Sequence, residues 1–304
     1  TNGLSNSCSS MSWLETSSTL ISAGSNGATG CELWTSMAVL DSTSQLVDIN
    51  PTGDSTPGLW LDMTQIQTDN GAMVFFDADD GTNGRELWAS DGTVAGTQRI
   101  TSFGGAGDGL TGNSKIVKWM GGVVFTNVNE DFIWSNGTTT VELFDAPFFT
   151  STTQSTLDTQ TSDLSAYPLT KLWPESDGLW FSASTTSQDF EMHYLSQEGA
   201  FKSWDLNTLE GSMPDSFLSV SGHNIVIAED GFNGRQLVRL NDDGSHVWLT
   251  SLTLQSNGAA STSVGEKMGL NSIGDVVLFD AQTSGVDTTS VSYTHLTLPT
   301  NGEV

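Results

Sequence analysis

A glycine-containing turn recurs along the chain about every 45–55 residues, and each of these turns directly precedes an apolar, strand-like run. Such turns are typical of hairpins, because Asn-Gly and similar pairs tolerate the positive φ that a tight hairpin requires. The glycines of this first series are Gly71, Gly122, Gly178, Gly222 and Gly274. A second series separates two further strand-like runs in each unit and contains Gly92, Gly137, Gly199 and Gly244. The predicted order in each unit is therefore strand, turn, strand, loop, strand, turn, strand.

This order predicts an all-β fold, a β-propeller with five near-complete four-stranded blades and a truncated sixth. Short antiparallel strands repeated in groups of four are typical of propeller blades. The N-terminal run "TLISAGSNGATGCELWTS" supplies the first unit. An array of β-sandwiches or a β-solenoid is the alternative, and no apolar period near about 3.6 residues indicates a helical domain. The polar residues 150–165 are predicted to form an inserted surface loop.

Nine residues occur almost unchanged in two places, as "DDGTNGREL" at positions 79–87 and "EDGFNGRQL" at positions 229–237. Both copies fall between the second and third predicted strands of their units, and Asn83-Gly84 and Asn233-Gly234 are expected to bend the chain there. We interpret this repetition as architectural. A blade buries its apolar faces only against neighbouring blades, so a pattern that shapes one blade recurs in the others.

The chain is strongly acidic, with 9 Lys and Arg against 36 Asp and Glu and a formal net charge of −27. Such a surface repels phosphate backbones and anionic lipids, so we expect neither nucleic acid nor a membrane surface as a partner. No run approaches the roughly 18 apolar residues of a membrane-spanning helix. We interpret the charge mainly as a solubility feature and, second, as an attraction for divalent cations.

Both ends of the sequence are atypical of a complete protein. The chain begins at Thr1 rather than Met, so we expect a fragment of a longer protein whose signal peptide is not visible. The C-terminal "VSYTHLTLPTNGEV" resembles a translated sequencing adapter, so residues 291–304 are expected to be a non-native tail and residues 1–290 the propeller domain. The sixth unit, which begins near Lys267, would then end after its second strand. The alternative is an ordinary C-terminal strand that contains His295.

Residues 77–86, "DADDGTNGRE", form the best candidate metal site, because calcium takes about six to eight oxygen ligands and this loop is rich in them. The oxygen-bearing side chains are Asp77, Asp79, Asp80, Asn83 and Glu86. The calcium-loop motif places its glycine one position later than Gly81, and Ile227 stands at the place of Asp77 in the second copy. We therefore predict weak calcium binding by Asp77, Asp79 and Asp80, with a plain turn as the alternative, and we predict no other cofactor.

No catalytic residue is predicted. The histidines at positions 193, 223 and 246 lie in different units without metal-ligand spacing, and no G-x-S-x-G motif is present. Cys8 and Cys31 are too few for a typical zinc site, and they fit one disulfide in an exported protein as well as two buried thiols. Trp34, Trp88 and Trp134 hold equivalent places in their units, which favours a role in the core between blades.

The run "ELWASDGTVAGT" at positions 86–97 resembles the ELW-x-SDGT-x-x-GT repeat family of secreted bacterial and archaeal proteins, and "LVDINPTG" at positions 46–53 resembles its continuation. In later units Trp134 and Tyr194 are expected to hold the aromatic place. The resemblance implies a propeller-like fold and export or surface display, and it implies no catalytic residues. We therefore expect a non-catalytic extracellular scaffold that binds a protein or glycan. The alternative is a secreted propeller hydrolase that acts on glycans through carboxylates at its axis.

Overall fold

The computed structural model describes residues 8, 10–14, 18–37, 39–68, 71–162, 164–166, 170–185, 189–251, 270–281 and 292–297. Asn70, Lys267 and Val291, which the sequence analysis used to place a turn, the sixth unit and the tail, lie outside these residues. The chain divides into two compact units. One consists of residues 1–158 with 166–168, and the other of residues 159–165 with 169–304.

The first unit contains three four-stranded antiparallel sheets, whose strands lie side by side in chain order and which we call blades. Blade 1 consists of β1 (Met11–Leu14), β2 (Thr19–Ser25), β3 (Cys31–Met37) and β4 (Ser44–Val47). Blade 2 consists of β5 (Thr64–Thr68), β6 (Gly71–Asp79), β7 (Arg85–Ser90) and β8 (Gln98–Arg99). Blade 3 consists of β9 (Ile116–Trp119), β10 (Gly122–Thr126), β11 (Phe132–Ser135) and β12 (Thr140–Glu142), and a 3₁₀ turn follows at Leu143–Asp145.

The second unit continues the same arrangement. Blade 4 consists of β13 (Leu172–Pro174), β14 (Gly178–Ser184), β15 (Phe190–Ser196) and β16 (Phe201–Trp204). Blade 5 consists of β17 (Ser216–Val220), β18 (His223–Glu229), β19 (Arg235–Leu240) and β20 (His246–Trp248). Blade 6 has three strands among its described residues, namely β21 (Leu270–Ile273), β22 (Val276–Ala281) and β23 (Ser292–Thr297).

The predicted all-β fold with four-stranded propeller blades is confirmed, and both glycine series lie at the expected hairpins. Trp119 pairs with Gly122 across the first turn of blade 3. A Cβ at Gly122 would lie 2.5 Å from the carbonyl oxygen of Ser135, so the neighbouring strand leaves no room for a side chain there. The turn glycines thus help to set the register, because one hairpin fixes which residues of two strands face each other.

The central strands of a blade contribute to two cores at once. Phe75 and Phe76 are both fully buried, but Phe76 belongs to the cluster shared with blade 1 and Phe75 to the cluster shared with blade 3. Ile225 and Val226 divide in the same way between blades 6 and 4. Successive residues of a strand point to opposite faces, so a continuous apolar run is what a strand covered on both sides requires.

The prediction of a surface loop at residues 150–165 is wrong, because α1 (Ser151–Thr161) is an α-helix. Thr150 precedes it, and the Thr150 hydroxyl accepts a hydrogen bond from the Thr153 amide at 3.2 Å, as an N-cap does. Leu157 is the one apolar residue of the helix and is fully buried. A helix made almost entirely of Ser, Thr and Gln has no apolar period, so the sequence pattern could not indicate it.

Blade 6 is truncated, as predicted, but its described residues form three strands rather than two. β23 (Ser292–Thr297) pairs antiparallel with β22, with Thr294 opposite Phe279. Within the stretch assigned to a non-native tail, residues 292–297 therefore form a strand that includes His295. Whether residues 291–304 are native to the protein stays a prediction.

The two cysteines form a disulfide. Cys8 lies before β1 and Cys31 begins β3, and their Cα atoms are 5.9 Å apart. The bond ties the N-terminal segment to the middle of blade 1, where both cysteines are buried in the core shared with blade 2. Among the described residues, no helix has the length and hydropathy needed to cross a lipid bilayer.

Candidate functional site

A buried carboxylate occupies the second position of the third strand in three blades. These residues are Glu32, Glu86 and Glu191. In blade 1, Glu32 accepts hydrogen bonds from the Ser55 hydroxyl at 2.7 Å and the Ile49 amide at 2.7 Å. Both donors lie in the linker to blade 2, so this carboxylate anchors the chain segment that leads into the next blade.

Blade 2 makes the same connection with different donors. Glu86 accepts hydrogen bonds from the Thr101 hydroxyl at 2.6 Å and the Gly104 amide at 2.9 Å. Gly109 stands where Ser55 stands in the preceding linker, and a Cβ at Gly109 would collide with the Glu86 carboxylate. In this linker the Glu86 carboxylate thus lies in the space next to the Gly109 backbone, where the preceding linker has the Ser55 side chain.

Burial changes the acidity of two of these glutamates. In blade 4, burial raises the pKa of Glu191 to about 7, against the opposing effect of hydrogen bonds from Ser212 and the Leu206 amide. The Ser212 hydroxyl lies 2.6 Å from the carboxylate. Burial also raises the pKa of Glu32. The sequence analysis missed this role of the glutamates. A signal that could have found it is a serine 23 residues after Glu32 and another 21 residues after Glu191.

The predicted metal ligand Asp77 is buried and points to the linker before β5. Its Oδ1 atom accepts a hydrogen bond from the Leu61 amide at 2.8 Å, and its Oδ2 atom lies 2.5 Å from Nη1 of Arg85. The carboxylate thus has a buried counter-ion and backbone donors of its own.

Asp79 and Asp80 lie together in the turn that follows β6. Asp79 accepts a hydrogen bond from the Gly81 amide at 2.7 Å, while Asp80 accepts one from the Asn83 amide at 2.8 Å and lies 3.2 Å from Arg99. Burial acts to raise the pKa of Asp80, but the hydrogen bonds from Asn83 outweigh it and hold the pKa below its ordinary value. The structure thus places two of the predicted ligands in one turn and the third against Arg85. In the described part of the chain, no three acidic, His or Cys groups are grouped as metal ligands.

The second copy of the nine-residue motif forms the same turn in blade 5. Asp230 accepts hydrogen bonds from the Asn233 amide at 2.6 Å and the Asn233 side-chain amide at 2.9 Å. A Cβ at Gly231 would lie 2.5 Å from Oδ1 of Asn207, and a Cβ at Gly81 would lie 2.5 Å from Oδ1 of Asn50. Each motif therefore packs against an asparagine of the preceding linker. The predicted position of both motifs between the second and third strands is confirmed.

The two turns differ in the side chains that they present to solvent. Phe232 is 83% exposed at the tip of the blade 5 turn, where blade 2 has Thr82. The linkers differ in the same way. The Asn207 side chain accepts a hydrogen bond from the amide of Leu209, which is 67% exposed, and Asn50 accepts one from the amide of Thr52. One backbone arrangement thus displays an apolar pair in blade 5 and a threonine pair in blade 2.

A cavity of about 110 Å³ lies at the loop edge of blade 3. It is enclosed by the linker before β9, the loop between β10 and β11, and a residue that follows α1. The lining residues are Thr111, Asn113, Ser114, Thr126, Asn127, Val128, Glu130 and Ala166. Glu130 has φ of +71°, a strained value for a residue other than glycine, and strain of this kind clusters at functional sites.

The aromatic residues hold two places rather than the one expected. Trp34 and Trp88 each occupy the fourth position of a third strand, whereas Trp134 and Tyr194 lie at the other end of their blades. The indole nitrogen of Trp88 donates to the Ala78 carbonyl at 3.2 Å, near the loop end of β6. The indole nitrogen of Trp134 donates to the Trp119 carbonyl at 3.2 Å, and the Tyr194 hydroxyl donates to the Asp177 carbonyl at 3.0 Å, both at the opposite, hairpin end of their blades. An aromatic side chain is therefore used to seal either end of a blade.

No family model matches this sequence, and no curated protein matches it. Among solved structures, the chain is similar to the computationally designed protein Ika8, with 12% identity and a TM-score of 0.43 over 90% of this chain and 68% of that one. It is also similar to TolB from Acinetobacter baumannii, with 13% identity and a TM-score of 0.37 over 78% of this chain and 52% of that one. A prolyl endopeptidase gives 9% identity and a TM-score of 0.47 over 95% of this chain and 42% of that one. The chain thus spans about half the length of TolB and less than half of the endopeptidase.

Proposed function

We propose that this protein is a non-catalytic extracellular or cell-surface scaffold whose loops bind a protein or glycan ligand. The observation that carries the proposal is the contrast between the two copies of the repeated turn. Their hydrogen bonds are the same, but one copy exposes Phe232 and Leu209 where the other carries Thr82 and Thr52. Rigid repeats with variable loop side chains are a common basis for binding surfaces.

The apolar pair Phe232 and Leu209 is the first surface to which we assign ligand contacts. Exposed aromatic and leucine side chains do not stabilise the fold, and grouped apolar residues on a surface mark interaction sites. The Asn207 side chain connects the two segments, because it accepts a hydrogen bond from the Leu209 amide and lies close to Gly231, the residue before Phe232. The carboxylates of Glu210 and Asp230 flank the pair in the chain, so a ligand with apolar groups and positive charge would suit it.

The internal use of the repeat carboxylates supports a binding role over a catalytic one. Glu191, with its pKa raised to about 7, has the acidity of a general acid at neutral pH. Its two oxygens, however, hold the Ser212 and Leu206 amides of the next linker, as Glu32 holds its own linker. These glutamates have an architectural task that accounts for their burial and their acidity.

Export and calcium binding belong to the same proposal. The resemblance of residues 86–97 to a secreted repeat family supports display outside the cell, and the Cys8–Cys31 disulfide is of the kind that persists in oxidising compartments. Calcium would bind weakly at the turn of Asp79 and Asp80. Calorimetric titration with calcium in added salt tests this site. We expect Asp79→Ala to abolish the heat of calcium binding. Identical titrations of the variant and the unmodified chain would show that these residues form no calcium site.

Screening the 304-residue chain on glycan and peptide arrays, together with a reducing-sugar release assay, tests the binding proposal. The variant Phe232→Thr/Leu209→Thr gives blade 5 the side chains of blade 2, and we expect it to lose captured ligand by about tenfold or more. The control Val94→Thr replaces another exposed apolar residue, in blade 2, and should leave capture unchanged. Sugar release that is lost on changing a single Asp or Glu would instead establish the glycan hydrolase.

A further inference from the structure

The cavity in blade 3 occupies a place that an arginine side chain fills in blade 2. The Arg85 guanidinium lies between the linker before β5 and the end of β6. It contacts Oδ2 of Asp77 at 2.5 Å and the Thr56 carbonyl at 3.0 Å, and it lies 5.0 Å from the centre of the Trp60 ring. The side chain is almost fully buried. In blade 2 this space is therefore a built guanidinium site, with its ligand supplied by the same chain.

Backbone hydrogen bonds establish which residues of blade 3 correspond to that site. The Asp79 amide donates to the Ser55 carbonyl in blade 2, and the Val128 amide donates to the Gly109 carbonyl in blade 3. Asp77 and Thr126 each lie two residues before those amides, so Thr126 takes the place of Asp77.

The residue of blade 3 that corresponds to Arg85 is identified in the same way. The Arg85 carbonyl accepts the amide of Gly109 in the following linker, and the Glu130 carbonyl accepts the amide of Ala166. Glu130 therefore takes the place of Arg85. A shorter, negatively charged side chain stands where the guanidinium would enter, and the space that the guanidinium fills in blade 2 is the open cavity of blade 3.

Blade 5 also places an arginine at this position. Arg235 pairs with Glu229 across β18 and β19 just as Arg85 pairs with Asp79 across β6 and β7. Arg235 forms an ion pair with Asp215 in the preceding linker. Two blades thus place their own cation at this position, while blade 3 reverses the charge.

We propose that the blade 3 cavity binds a guanidinium group supplied from outside the chain. Glu130 is the one charged side chain among the described residues that line it, and a carboxylate accepts both N–H donors of a guanidinium fork. Ser114 and Thr126, both nearly buried, add hydroxyl oxygens as further acceptors. A net charge of −27 attracts any cationic ligand towards the protein. This site lies in the first unit and is separate from the Phe232 and Leu209 surface, so either proposal can fail without the other.

The guanidinium could belong to a small free molecule or to an arginine side chain of a partner protein. Titrations of the 304-residue chain with ethylguanidinium and with the peptide acetyl-Gly-Arg-Gly-amide, at constant ionic strength, distinguish these sources. Binding of both probes shows that an arginine side chain in a polypeptide can reach the cavity, and binding of ethylguanidinium alone shows a site for a free molecule. Propylammonium should bind more weakly than either, because it lacks the planar fork.

Variants of Glu130 test whether the guanidinium binds in the cavity. Glu130→Gln should weaken ethylguanidinium binding by about tenfold or more, since it removes a charge-assisted hydrogen bond. Glu130→Arg should abolish binding, because the new side chain fills the cavity as Arg85 fills its equivalent. Glu198→Gln changes the net charge equally at an exposed position in blade 4 and should leave binding unchanged. Absence of binding to the unmodified chain, equal losses in Glu130→Gln and Glu198→Gln, or binding that persists in Glu130→Arg would each overturn the proposal. If Glu130→Arg does not fold, Glu130→Gln and its control still decide.

Discussion

Blades 2 and 5 carry the same nine-residue motif, and comparing them shows which of its residues the fold requires. Asp80 and Asp230 form the same turn, and Gly81 and Gly231 make the same close approach to a linker asparagine. By contrast, the buried Asp77 has no carboxylate counterpart in blade 5, where Ile227 is fully buried at that place. The backbone turn is therefore the common element, and the ion pair and the exposed tip vary around it.

The largest difference should appear when each arginine loses its acidic partner. Asp77→Ala leaves Arg85 buried beside no counter-ion, which should lower the free energy of unfolding by about 3–5 kcal/mol. Arg235 and Asp215 have side chains that are 18% and 37% exposed, so Asp215→Ala should cost about 1 kcal/mol or less. Urea denaturation of both variants measures these values. Equal losses would show that the two arginines play the same structural part.

The glycines of the motif should behave alike in the two blades. Gly81→Ala and Gly231→Ala force a side chain to adopt φ of +75° or +77° and to clash with an asparagine amide, at a combined cost of about 2–4 kcal/mol. Gly244→Ala is the matched control, because Gly244 has φ of +85° but open space around its Cβ position. It should cost about 1–2 kcal/mol from backbone strain alone. Thermal unfolding measures these losses. If only one of the two motif variants lost as little stability as Gly244→Ala, the two turns would not be equivalent.

A smaller effect, dependent on pH, should distinguish blade 4 from blade 5. The pKa of Glu191 is raised by burial to about 7 from 4.5, so the folded state favours the protonated acid. That stabilisation is fully present below pH 4.5 and is lost as the pH rises through 7. Between these limits the free energy of unfolding should fall by on the order of 2 kcal/mol. Glu191→Gln copies Gln236 of blade 5 and should flatten this dependence in urea titrations at several pH values. An unchanged pH dependence would contradict the assignment.

The smallest effect is expected at the tips of the two turns. Phe232→Thr and the reciprocal Thr82→Phe change side chains that face solvent, so each should alter the free energy of unfolding by no more than about 0.5 kcal/mol. Circular dichroism melting curves are sufficient to measure this. A large loss of stability in Phe232→Thr would show that Phe232 packs within the protein, and the loop contrast would then no longer support a binding surface.

The strands were predictable because their signals are local. Hairpins such as the one that ends at Gly122 are encoded by two or three adjacent residues, and apolar runs such as the one that contains Phe75 mark the strands that follow. Helix α1 escaped prediction because a single buried leucine, Leu157, carries its packing. The disulfide was undecided because two cysteines alone do not specify whether they meet.

The site was much less predictable because its contacts are distant in sequence. Glu32 and Ser55 lie 23 residues apart, and nothing local indicates that the glutamate of one blade binds the linker of the next. The metal prediction placed Asp77 with Asp79 and Asp80 because the three are neighbours in sequence. The buried guanidinium of Arg85 instead pairs with Asp77, whereas Asp79 and Asp80 accept hydrogen bonds within the turn. The correspondence between the cavity and the space filled by Arg85 becomes visible only when Glu130 is matched to Arg85 in the folded chain.

The linker glutamates have a consequence for synthesis on the ribosome. Glu32 is translated 23 residues before Ser55, its hydroxyl partner, and Glu191 is translated 21 residues before Ser212. At a translation rate of about 5–20 residues per second, the serine partner of each carboxylate is synthesised roughly one to five seconds after the glutamate. Each of these blades thus gains its last contacts only after the linker that follows it has been synthesised.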